Sequence, residues 1–241
     1  MHLENYVLEK NIGKSCFGDV YLTSMKGDSC KRFVTKKYDR EQIEGTEAIK
    51  YLKNEILNMQ RLVHPNIIKF ESIKKTKKHY YLIIEYCNGG ELSKALEKYK
   101  VKYGKPFSQE VVQYLMRQII DAFKYIHGKK FIHRDIKLDN IFINFESEKD
   151  KDDLNLMKAQ IKITDFGFSI FIKNSALIDS LDPDSFDNPL YFEPSVLKKL
   201  KANSKKRRIE KDGRIDVWSL GTICYEMLTG KPIFDSPEID R

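Results

Sequence analysis

The sequence predicts an α+β chain in which strands come first and helices dominate the remainder. Three observations predict it. Residues 6 to 38 alternate in polarity between turn residues at Gly13, Gly18 and Gly27-Asp28, the pattern of three short strands. Residues 46 to 62 (TEAIKYLKNEILNMQRL) change to helical spacing, with apolar side chains at Ile49, Leu52, Ile56, Met59 and Leu62. After one more strand-like run, HYYLIIEY, helical stretches follow near residues 92 to 99 and 108 to 127, the second opening on Ser108 as an N-cap.

Composition narrows the function classes. The 241 residues make one large domain or two small ones, and a 41% hydrophobic content suffices for an ordinary core. No apolar run reaches the roughly 18 residues of a membrane span. The start, MHLENYVLEK, lacks the basic-then-apolar order of a secretion signal. Cys16, Cys30, Cys87 and Cys224 show no metal-ligand spacing, which fits a reducing cytoplasm or nucleus better than a disulfide scaffold. The net charge of +8 is compatible with an acidic partner. Both signs of charge are well mixed, however, and no motif supports a nucleic-acid partner.

The chemistry is concentrated between Phe131 and Gly167, which read FIHRDIKLDNIFIN, an insertion, and IKITDFG. Asp135 stands two residues before Lys137, Asn140 three residues after it, and Asp165 precedes Phe-Gly. Phosphoryl transfer from a metal nucleotide needs such a set: a carboxylate to receive the substrate hydroxyl, a cation for the transferring phosphate, and a carboxylate plus an amide for the metal. Upstream, IGKSCFGDVY spaces Gly13, Ser15, Gly18 and Val20 between the first two strands. Glycine there lets backbone approach phosphate closely, although a hairpin that simply needs glycine accounts for it equally. Adjacent Lys36 and Lys37 on the third strand are solvated unless a carboxylate answers one of them, and Glu55 on the following helix is the candidate.

The ordered set of these motifs strongly resembles the catalytic core of eukaryotic protein kinases, of the Ser/Thr class because Lys137 occupies its position. The resemblance covers nearly the whole chain. It implies a two-lobed fold, with a small lobe over residues 1–85 (antiparallel sheet and one helix) and a mainly helical large lobe over 86–241. It implies ATP and Mg²⁺ as cofactors and a protein substrate. Residue by residue, Ile12, Gly13, Lys14, Ser15, Gly18 and Val20 would cover the nucleotide, and Val34, Ile84 and Phe142 would line the adenine. Glu85 and Cys87 would bond adenine through their backbone. Lys36, paired with Glu55, would contact the α- and β-phosphates. Asp135 and Lys137 would act on the hydroxyl and the γ-phosphate, and Asn140 and Asp165 would hold the metal. His133 and Phe166 are packing elements, Asp216 would bond the catalytic-loop backbone, and Trp218 would lie beneath the activation segment. Glu91 and Asp139 match positions that in basophilic kinases meet arginines, so a preference for basic substrates is expected.

Several features depart from the pattern. Ser15 replaces a glycine, and Val34 and Phe142 are larger than usual. The activation segment, residues 168 to 197, ends with Asn188, Tyr191, Pro194 and Ser195 where Thr, Tyr, Pro and Glu are usual. Asp184 or Asp182 is expected to pair with Arg134 in place of a phosphorylated Thr, with Ser180 and Ser185 as the conventional alternative. FESEKDKDDLNLMKAQ after Asn144 reads as a mobile, solvated loop. The basic run at 198 to 211 reads as an exposed loop or a nuclear-import patch. The chain stops before three further helices that the family carries; a naturally short large lobe is the expectation, with an incidental end as the alternative. The uncovered apolar surface would invite a protein partner, a dimer or low stability. HPNI, EYCNGGEL and DFGFS are most like the Unc-51-like (autophagy-initiating) or calcium/calmodulin-kinase branches, and NIFI is also like the never-in-mitosis kinases. A rival reading is a pseudokinase-like scaffold, against which stands the full set of Lys36, Glu55, Asp135, Lys137, Asn140 and Asp165.

Overall fold

Alternation in the first third of the chain builds one six-stranded sheet, covered on both faces along the run HYYLIIE. The computed structural model describes residues 2–15, 18–172, 189–191 and 213–234. Strands β1 (His2–Leu3), β2 (Tyr6–Ser15), β3 (Gly18–Met25), β4 (Asp28–Asp39), β5 (Phe70–Lys75) and β6 (His79–Glu85) pair in the order β1-β2-β3-β4-β6-β5, every pair antiparallel. Phe33, Tyr81 and Ile83 point to the outer face, where Leu3, Tyr6 and Leu8 pack over them. Val34, Tyr38, Leu82 and Ile84 point inward to the main core. Burial on both faces is why HYYLIIE is continuously apolar rather than alternating.

The short α1 (Arg40–Ile43) leads into α2 (Glu47–Arg61), which Thr46 caps by accepting from the Ala48 amide. Its buried stripe is Tyr51, Leu52, Glu55, Asn58 and Met59. That stripe is rotated from the one apolar spacing predicts: Ile49 and Ile56 are only partly buried, while two polar residues face inward.

The rest is mainly helical. β7 (Gly90–Glu91) runs into α3 (Leu92–Tyr103), and α4 (Gln109–Gly128) follows, with Ser108 accepting from the Val111 amide as expected. α4 presents Val112, Leu115, Ile119, Phe123 and Ile126 to the core. β9 (Ile141–Asn144) pairs with β10 (Gln160–Ile163) and with β7, and β8 (Phe131–Ile132) pairs with β11 (Ile170–Phe171). These short ladders carry the chemical residues in the loops between them. α6 (Arg214–Thr229) packs against α4 and buries Ile215, Asp216, Ser219, Thr222, Ile223 and Met227.

The segment between β9 and β10 corrects the expectation of a solvated loop. It forms α5 (Glu148–Asp152), capped by Ser147, and a 3-10 turn at Leu156–Lys158. Leu156 and Ala159 are buried, and Lys102 and Tyr103 donate to the Asp153 carbonyl. Two apolar residues within a charged run suffice to anchor it.

Candidate active site

Between the sheet and the helical lobe lies a cleft of about 570 Å³. Ile12, Gly13, Lys14, Ser15, Val20, Val34, Lys36, Ile84, Glu85, Cys87, Asn140, Phe142 and Asp165 all line it, as the motifs imply. Gly18 does not. A Cβ there would sit 2.0 Å from the Lys37 carbonyl oxygen, so glycine is required by the close pass of β3 over β4 rather than by the cleft. Glu91, Asp139 and Thr164 also line the cleft.

Lys36 and Glu55 settle the question of the paired lysines. Lys36 Nζ donates to Glu55 Oε1 at 2.7 Å, and Glu55 is 4% exposed. Burial opposes the ammonium, but the fields of Glu55, Tyr38 and Asp165 outweigh it and hold Lys36 well above the usual lysine range. Burial lifts the Glu55 carboxyl, and the Lys36 charge pulls it back. Tyr38 lies beside the pair, its hydroxyl 3.5 Å from Glu55 Oε2. Lys37 faces the opposite side, above the Tyr21 ring.

The catalytic stretch is fixed from beneath by one side chain. Asp216 on α6 is fully buried and accepts from the His133 amide (2.9 Å), the Arg134 amide (2.8 Å) and His127 Nε2 (2.8 Å). Those bonds hold Arg134 at φ 71°, a conformation a non-glycine residue keeps only when its surroundings enforce it. His133 packs its ring 4.8 Å from that of Phe166, and its Nε2 donates to the Thr164 carbonyl. Both rings are fully buried, in keeping with a packing role.

Above this floor, Asn140 Nδ2 donates to both the carbonyl and Oδ2 of Asp135, at 2.8 Å each. Lys137 Nζ stands 3.6 Å from the same Oδ2. Burial raises the Asp135 carboxyl above its ordinary range, the Lys137 charge lowers it, and Asp165 raises it again. Because its amide nitrogen is committed to Asp135, Asn140 is orientated with its carbonyl oxygen on the other side. Asp165 sits at φ 65°. The carbonyls that follow it are held by side chains from two elements: Asn58 reaches Phe166, Asn54 reaches Gly167, and Arg134 reaches Phe168.

The strand linking the lobes is pinned from behind. Glu85 accepts from Lys162 Nζ (2.8 Å) and from the Lys69 amide (3.0 Å). Asn88 exchanges bonds with the backbone of Phe145, and the Gly89 amide donates to the Ile143 carbonyl. A Cβ on Gly89 would lie 2.8 Å from that oxygen, which explains the Gly-Gly turn. Cys87 is buried, and its thiol is pushed up to about 12 by that burial, as suits a packing residue.

Of the activation segment, Tyr191 is described: its hydroxyl donates to Glu226 (2.6 Å) and its carbonyl accepts from Ser219. Ser180, Asp182, Asp184, Ser185, Asn188, Pro194, Ser195 and the basic run at 198 to 211 lie outside the described residues. Arg134, their expected anchor, is buried and donates to the Phe168 carbonyl. Trp218 stacks on Phe234 at 6.3 Å and is 36% exposed. Sequence reasoning missed Asn54, Asn58 and Lys162. Asn58 offered one signal, a polar residue within the helical stripe.

The donor set fits a nucleotide-borne magnesium ion. Among the described residues no three His, Cys, Asp or Glu side chains cluster as a protein-only metal cage. One carboxylate and one amide facing a cleft are instead the few hard oxygen ligands that Mg²⁺ takes beside phosphate.

A two-lobed fold with an ion-paired strand lysine, a buried Asp–Lys–Asn loop and an Asp-Phe-Gly turn on one cleft is the architecture of a protein kinase. The model of the protein kinase domain matches residues 6–241. The chain is similar to the serine/threonine-protein kinase ATG1 of Saccharomyces cerevisiae (30% identical over 95% of this chain and 27% of the relative). It is also similar to the serine/threonine-protein kinase SRK2A of Physcomitrium patens (33%, 99% of this chain, 59% of the relative) and to Aurora kinase B of Mus musculus (30%, 98% and 59%). The chain belongs to the protein kinase family. It spans about a quarter of the length of the ATG1 relative and under two thirds of the other two.

Proposed function

We propose that this chain transfers the γ-phosphate of ATP, with Mg²⁺, to Ser or Thr hydroxyls of a protein. One observation carries the reading: Lys36, Asn140 and Asp165 line a single cleft, with Glu55 bonded to Lys36 behind it, Asp135 bonded to Asn140 and Lys137 beside Asp135. In this reading Asp135 takes the proton of the substrate hydroxyl, and its raised carboxyl makes it the stronger base. Lys137 supplies positive charge beside it, Lys36 holds phosphate oxygens, and Asn140 and Asp165 hold the metal. The bound magnesium would supply charge neutralisation across the phosphates. Ile84, Val34 and Phe142 shape the apolar end, and the backbone of Glu85 and Cys87 takes the adenine edge. The small lobe is taken as residues 1–85 and the large lobe as 86–241.

Glu91 and Asp139 at the cleft mouth support a preference for basic residues near the phosphosite. Lys94 and Ser93 already occupy one oxygen of each, at 2.8 and 2.9 Å, so the preference should be mild. No described helix is long and apolar enough to cross a membrane. Cysteines without metal spacing favour the cytoplasm, and the basic run at 198 to 211 would suit nuclear entry. Val217, Trp218, Tyr225 and Leu228, exposed on α6, favour a protein partner on that side of the large lobe.

The test is transfer of labelled phosphate from Mg-ATP to a basic protein and to the chain itself, with Asp135→Asn as the control. Transfer lost in the variant supports the reading. No transfer from folded wild-type chain rejects it. Equal rates on peptides with and without upstream Arg reject the substrate preference alone.

A further inference from the structure

Four successive carbonyls after the metal-binding aspartate each receive a side-chain donor. The Phe166 oxygen accepts from Asn58 Nδ2 (3.1 Å), and the Gly167 oxygen from Asn54 Nδ2 (2.7 Å). The Phe168 oxygen accepts from Arg134 Nε and Nη2 (2.8 and 2.6 Å). The Ser169 oxygen accepts from both asparagines, at 2.7 and 3.1 Å. The two asparagines are one turn apart on α2, on either side of Glu55 in sequence. Apolar packing alone would favour leucine at such positions, since Asn is a poor helix former and buried amides cost energy unless bonded.

We propose that Asn54 and Asn58 are positioning residues that latch helix α2 to the turn carrying Asp165, so that the Lys36–Glu55 pair and the metal ligand are assembled or lost together. Moving α2 outward to break Lys36–Glu55 also pulls the amides off these carbonyls. Turning Asp165 away from the cleft removes the same carbonyls from the amides. A shared set of bonds makes the two elements one two-state unit. Only the function assigned to Asp165 rests on the kinase reading; the latch itself does not.

Leucine at either position matches asparagine in size, favours the helix and removes the donor. The full chain carrying Asn54→Leu, Asn58→Leu or both is compared with wild type in two assays, after thermal unfolding confirms a folded protein. First, hydrogen exchange is followed without nucleotide: the Ser169 amide, bonded to the Phe166 carbonyl, should exchange roughly tenfold faster in the double variant, while α4 is unchanged. Second, ADP binding is titrated calorimetrically with and without Mg²⁺: half-saturation should need several-fold more metal, and metal-free ADP, whose phosphates Lys36 would hold, should bind more weakly as well. Exchange that does not change, or faster exchange with an unaltered Mg²⁺ requirement, overturns the proposal; the latter leaves the asparagines as packing groups only. If the double variant does not fold, Asn54→Leu, at a half-buried site, decides alone. Failure of phosphotransfer in wild type leaves the exchange assay intact, so the two readings fail separately.

Discussion

The two loops that close on the cleft are built in opposite ways. The hairpin between β2 and β3 is exposed from Glu9 to Lys14, and its local bonds are short-range: Ser15 to the Gly18 carbonyl and the Gly13 amide to Asn11. The catalytic loop is buried throughout residues 131 to 138 and is bonded to α6 across 82 and 83 positions of sequence. The difference reflects what each contributes. A loop that acts through backbone amides must approach and leave a ligand, and tolerates looseness. One that acts through a carboxylate, an ammonium and an amide must hold three side chains to within fractions of an ångström.

If that contrast is right, the catalytic loop is fragile and the hairpin forgiving. The largest effect should come from Asp135→Asn, which keeps the shape and removes the base: turnover should fall roughly a hundredfold to ten-thousandfold, with nucleotide affinity little changed. Next comes Asp216→Ala, far from any ligand. It strands the buried amides of His133 and Arg134, and should cost about 2–5 kcal/mol in denaturant unfolding as well as activity. A catalytic-loop residue that can be removed without loss of stability would break the comparison.

A smaller effect is expected from pH. The Asp135 carboxyl must be ionised to act as base, and burial raises it. Turnover should therefore decline on acidification at a higher pH than an ordinary aspartate gives, each further unit costing about tenfold below that point. An acid limb at the usual aspartate position in wild type would remove the raised carboxyl from the account. The smallest effect belongs to the hairpin. Ser15 is bonded through its hydroxyl to the Gly18 carbonyl, so Ser15→Gly trades one half-exposed bond for backbone freedom. ATP affinity should change by no more than about threefold in either direction; a change of two orders of magnitude would place the hairpin beside the catalytic loop in stringency.

Much of the site is legible in the sequence because its residues are close together there. Asp135, Lys137 and Asn140 share six positions, and the chemistry proposed for them dictates their types and spacing. Element types are legible where local signals agree, as at Ser108, whose side chain accepts the bond that a cap should. The places where sequence misleads share one property. Periodicity makes the α2 stripe apolar, yet Asn58 is inside because the Phe166 carbonyl, 108 residues away, awaits it. Charge density makes the insertion after Asn144 a solvated loop, while Leu156 and Ala159 anchor it to the core.

Sequence by itself therefore determined which groups can do chemistry, and the order of strand and helix that carries them. Only the tertiary structure decided that Asn58, besides the expected Glu55, faces inward from α2. It also decided that Asn54 and Asn58 on α2 would hold the backbone of a turn more than 100 residues later. The reason is physical: turn chemistry and periodicity act over a few residues and are written locally. The cost of burying a charge or an amide is cancelled only by a partner, and the fold alone brings that partner near.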